Sequence, residues 1–109
     1  MTQFDERERA FEAKFARDEE MQFRIAARRN RLLGQWAARQ MGLNEAEAES
    51  YAKDVVRSDF ENAGEHDVIG KVLGDLTGAG VDCDEETVRE ALKNKEIDAR
   101  RQIIEATNL

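Results

Sequence analysis

Residues 4–15 read Phe4-Asp5-Glu6-Arg7-Glu8-Arg9-Ala10-Phe11-Glu12-Ala13-Lys14-Phe15, and the pattern they begin runs on to Met41 without a proline. Phe4, Phe11 and Phe15 stand at i, i+7 and i+11, which places all three on one side of an α-helix. The residues between them are charged or small. Met21, Ile25, Leu32, Leu33 and Trp36 carry the apolar stripe onward, with Asp18, Gln22 and Arg29 interrupting it. Gly34 is the one helix breaker inside this stretch, and Gly42 stands where a left-handed residue ends a helix. A single helix from Phe4 to Met41 would be about 55 Å long at 1.5 Å per residue. A compact domain of this size is about 26–30 Å across. The N-terminal half must therefore project, bend or be disordered. This reading divides the chain into an arm, residues 1–20, only partly ordered when free because short helices are marginal in water, and a helical anchor domain, residues 21–109.

Outward from that stretch, the periodicity predicts three further helices. The second starts at Asn44, with Glu47 three residues on, the spacing of a capping box. Ala48, Tyr51, Ala52, Val55 and Val56 form its apolar face, with Phe60 at the edge, and it stops by Gly64. The third begins near His66 or Asp67, is lined by Val68, Ile69, Val72, Leu73 and Leu76, and ends at Gly78 and Gly80. The fourth opens at Asp82 or Asp84, with Glu85 and Glu86 where the helix dipole favours acids. Val88, Leu92, Ala99 and Ile103 line one side, while Ile97 and Ile104 lie opposite. Loops this short suit antiparallel neighbours, so the expected fold is all-α, about four helices in an antiparallel bundle with a long first helix.

The chain has 109 residues and a net charge of −7. The charge is uneven: residues 1–20 carry −3, residues 21–41 carry five arginines and no acid, and residues 42–109 carry −9. A chain this acidic repels nucleic acid. The longest apolar runs are a few residues, far short of the ~20 a membrane span needs. The start has no apolar signal-like segment, and the single cysteine, Cys83, excludes an internal disulfide, so a reducing compartment is expected.

Nothing in the chain makes a catalytic constellation. Cys83 and His66 form a dyad only on paper, with no third orienting group. Too few His and Cys residues are present for a closed zinc site. The clusters Asp18-Glu19-Glu20 and Asp82, Asp84, Glu85, Glu86 lack calcium-loop spacing and read as solvated helix surface. Arg24, Arg28, Arg29 and Arg31 form the one candidate anion site, suited to a purine nucleotide or another anion. The plainer reading pairs them with the acidic body. For the phenylalanine arm the alternatives are folding back onto the bundle and docking as a helix in a partner's groove.

At these residues the chain resembles a known family, the zeta subunit of alphaproteobacterial F-type ATP synthases, an ATPase inhibitor. The resemblance rests on Phe4-Asp5, the run Arg9 to Ala16, Asp18-Glu19-Glu20, Phe23, Arg28-Arg29-Asn30, Leu32-Leu33-Gly34 and Trp36-Ala37-Ala38. It continues through Val55-Val56, Ser58 to Glu61, Asp67-Val68, Ala99-Arg100 and Ile103-Ile104. It implies a four-helix regulatory subunit, not an enzyme, that needs no cofactor. The family's N-terminal arm inserts at a catalytic interface between the alpha and beta subunits of the ATPase head, against gamma, and blocks rotation in the hydrolysis direction. The inhibitory segment maps onto Thr2 to Glu19. Phe4, Asp5, Arg7, Glu8, Arg9, Phe11, Glu12, Lys14 and Phe15 become the partner-binding residues, the rings as anchors and the charges as register. The implied location is cytoplasmic, at the inner face of the membrane through the ATP synthase.

Overall fold

The computed structural model describes the backbone of residues 2–61 and 65–107 and the side chains of 18–59, 61 and 67–106. Four helices follow one another: α1 (Thr2–Gln40), α2 (Glu45–Glu61), α3 (Glu65–Gly78) and α4 (Glu85–Thr107). No strand occurs among the described residues. The all-α reading of the periodicity is the architecture observed.

The helix ends follow local chemistry. α1 stops at Gly42, whose φ of 74° is left-handed. There the Leu43 N–H donates to the Ala38 carbonyl at 3.0 Å and the Gly42 N–H to Arg39 at 3.1 Å, so two otherwise orphaned carbonyls are satisfied. α3 ends the same way at Gly80, with Val81 donating to Leu76 and Gly80 to Thr77. α2 opens with the expected capping box: the Glu47 N–H donates to Asn44 Oδ1 at 2.9 Å, and the Asn44 N–H donates to Glu47 Oε1 at 3.0 Å. α4 is capped by Asp84, whose Oδ1 accepts from both the N–H and the hydroxyl of Thr87. Those bonds hold the Asp84 carboxyl below its ordinary range.

The main core draws on all four helices: Leu33 and Ala37 from α1, Val55 from α2, Val68, Ile69, Val72 and Leu76 from α3, and Val88, Ala91 and Leu92 from α4. Gly34 lets α1 and α2 meet closely. A Cβ built there would stand 2.7 Å from the Ala52 Cα. A second, smaller cluster joins Ile25 of α1 to Ala99 and Ile103 of α4, with Met21 and Leu32 beside it. Ile97 and Ile104 are exposed, so of the two roles open to them they form surface and not a second seam.

α1 is one helix of 39 residues, about 58 Å long. The molecule measures 65 × 27 × 21 Å, so the N-terminal half of α1 runs out beyond the bundle, the first of the three expectations for it. The side chains of residues 1–17, and with them Phe4, Phe11 and Phe15, lie outside the described residues, as do those of Phe60 and His66.

Candidate functional site

Two regions compete for a functional role, and both belong to α1. The first is the arm. The helix carries Phe4, Asp5, Arg7, Glu8, Arg9, Phe11, Glu12, Lys14 and Phe15, whose side chains are outside the described residues. What the backbone contributes is a continuous connection. The helix that bears these residues is the same helix that contributes Leu33 and Ala37 to the main core, with no break between.

The second is a groove of about 590 Å³ between α1 and α2, to which α4 contributes Ile103. Arg24, Arg28 and Arg31 recur at i, i+4 and i+7 and so stand along one edge of α1. Lys53 and Arg57, at i and i+4 on α2, form the opposite edge. The floor is apolar and includes Ala27, Val56 and Ile103. Phe23 lines the groove too and is half exposed. Among the described residues, no carboxylate pairs with Arg24, Arg28 or Lys53. Arg31 is held by Glu49, Nη2 to Oε1 at 2.7 Å. Arg57 lies 3.9 Å from Asp54 on its own helix.

Arg29 goes elsewhere. A step of 100° from Arg28 turns it into the α1/α4 interface, where it is buried. Its Nε donates to Asn30 Oδ1 at 3.1 Å, and its Nη1 lies 3.6 Å from Glu96 Oε1. Of the four arginines of the candidate anion site, three therefore line one groove and the fourth is structural. The plainer reading, arginines paired with the acidic body, describes Arg29 and Arg31 but not Arg24 and Arg28. Lys53 and Arg57 escaped the sequence reading because each looks like ordinary helix surface. Their signal, two cations one turn apart beside an apolar face, gains meaning only once α2 lies against α1.

Other candidates fall away on geometry. Among the described residues no three His, Cys, Asp or Glu side chains gather to hold a metal ion. The Cys83 thiol is pushed up by burial and by Asp84 and Asp82, opposite to what a nucleophilic thiolate requires. No described helix is long and apolar enough to cross a membrane. Tyr51 and Asp75 make a part-buried polar contact that ties α2 to α3: the phenol donates to Asp75 Oδ2 at 2.8 Å, and Lys71 Nζ donates to the same oxygen at 3.1 Å.

Comparison with known proteins bears on the whole chain. The family model described as ATPase inhibitor subunit zeta matches residues 1–102. A protein whose structure was solved in solution by NMR shares 43% identity with the chain and superimposes with a TM-score of 0.69, over 79% of this chain and 98% of that one. No curated protein matches the chain.

Proposed function

The chain belongs to the ATPase inhibitor subunit zeta family, and from that premise we propose that it brakes an F-type ATP synthase with residues 1–20 as the effector and residues 21–109 as the anchor. The observation that carries this reading is the length of α1, 39 residues rooted in a bundle only 27 × 21 Å in cross-section. A helix so long presents its N-terminal stripe away from the body that would otherwise cover it. Phe4, Phe11 and Phe15 then seek an apolar cleft in a partner, in the helix-in-groove manner. The partner is the catalytic interface of the alpha and beta subunits, with gamma alongside. A rod wedged there opposes rotation in the hydrolysis direction. The protein works at the cytoplasmic face of the membrane through this assembly and catalyses nothing itself.

The energetics are adequate. Each fully buried phenylalanine contributes about 1.5–3 kcal/mol. Because the arm continues a helix already nucleated in the body, ordering it on the partner costs less than folding a free peptide. The charges Asp5, Arg7, Glu8, Arg9, Glu12 and Lys14 set register and partner choice more than affinity. Phe11→Ala and Phe15→Ala are each expected to weaken inhibition of ATP hydrolysis at least tenfold, equivalent to ~1.4 kcal/mol. Inhibition unchanged in both variants would remove the rings from the role of anchors.

The groove favours a second activity in the same molecule, binding of a purine nucleotide. Arg24 and Arg28, paired with no carboxylate among the described residues, suit phosphates, and half-exposed Phe23 with the apolar floor suits a base. Titration with ADP should shift the amide signals of residues 23–31 and 52–57, and inorganic phosphate at the same concentration should not. Equal shifts with phosphate would reduce the groove to a nonspecific anion site.

A further inference from the structure

The apolar interior is in two parts, and what divides them is polar. Arg29 and Asn30 of α1 and Glu96 of α4 stand at the junction of the main core with the small cluster of Ile25, Ala99 and Ile103, against which Leu32 also packs. Asn30 is fully buried, and its Nδ2 has no hydrogen-bond partner among the described residues. A buried amide left unsatisfied weakens the structure where it stands. The two clusters also differ in construction. All four helices contribute to the main core, whereas among the described residues the small cluster joins α1 and α4. On its other side the same part of α1 faces the open groove, and Arg24 and Arg28 stand across from Lys53 and Arg57, like charges facing one another. Three features thus converge on one segment: a polar break behind it, a two-helix contact beneath it, and a cationic gap beside it.

We infer that the Arg29–Asn30–Glu96 layer is a built-in break at which the base of the arm, residues 18–28, opens together with the facing end of α4 while the main core stays folded. Opening of this kind is sub-global, a cooperative unit released at less cost than the whole. Its consequence is reach. With the base closed, residues 2–20 extend beyond the small cluster, ~28 Å of helix; with it open, residues 2–28 do, ~40 Å. The break lets one helix serve as a seated wall of the bundle and as a longer rod. The inference stands on the packing and does not depend on what the arm binds.

Native-state hydrogen exchange on the full chain, followed by NMR, tests it. Amides of residues 25–28 and 99–103 should exchange together and at least tenfold faster than those of residues 33–38, 68–76 and 88–92. The double variant Arg29→Met/Asn30→Leu, which replaces the α1 side of the polar layer by apolar contact and strands no buried donor, should slow the first group at least threefold and leave the second group within twofold. Simple fraying at the end of α4 would be indifferent to residues 29 and 30. Equal exchange of the two groups in the unaltered chain, or base exchange unmoved by Arg29→Met/Asn30→Leu, would overturn the inference.

Discussion

Gly34 shows how a single residue sets the distance between two helices. In an isolated helix Gly34→Ala would gain about 1 kcal/mol. Here the new methyl meets a backbone atom, the Ala52 Cα at 2.7 Å, and a backbone atom moves only if the whole of α2 moves. Overpacking of this kind costs about 1–3 kcal/mol. The variant should therefore unfold at lower denaturant, by a net of up to ~2 kcal/mol, and a gain in stability would mean that α1 and α2 do not approach as described. Tyr51 makes a second point at this scale. Burial first, then the hydrogen bond to Asp75 and the charges of Asp75 and Asp54, push its phenol upward, so the folded state favours the neutral form. The associated stability is fully present below the ordinary tyrosine value of about 10 and is lost as pH climbs from there towards the folded-state value. Tyr51→Phe should cost about 0.5–1.5 kcal/mol at neutral pH and lose less stability than the parent chain above pH ~10, read from melting curves. An identical alkaline decline in both proteins would contradict this.

At the scale of elements, what could be read in the sequence was whatever neighbours on one helix decide. The capping box of Asn44 and Glu47, the stops at Gly42 and Gly80, and the faces of α3 and α4 depend on spacings of two to seven residues, and each appears where the periodicity put it. Asn44→Ala removes one partner of the box and should lower stability by about 1 kcal/mol, with α2 losing protection first in hydrogen exchange. Loss spread evenly over all four helices would place the effect elsewhere. What could not be read depends on helices meeting. Asn30 looks like solvated surface in the sequence and is fully buried. Arg29 groups with Arg28 in one candidate anion site although its place in the apolar stripe sets it apart, and it faces α4 while Arg28 lines the groove. Ile97 and Ile104 resemble a packing seam and meet no further element among those described. The groove itself has walls on two helices whose lining residues are 18 or more positions apart in the chain, so no local pattern announces it.

At the scale of the molecule, the charge distribution and the shape serve one arrangement. The acidic second half and the five arginines of residues 21–41 are complementary, and the pairs Arg29–Glu96 and Arg31–Glu49 join them across helices. The arm, by contrast, is a helix with a ring stripe and mixed charges, carried outward by the length of α1. Among the described side chains, both core clusters lie C-terminal to residue 20. That separation is what the inhibitory reading requires. The most direct test measures ATP hydrolysis by the inhibitor-free F-type ATPase of the same organism, with the full chain and with a chain lacking residues 1–19 whose helical content and melting confirm a folded body. The full chain should stop hydrolysis and the shortened chain should not. Equal inhibition by both would move the inhibitory element into the body and contradict the account.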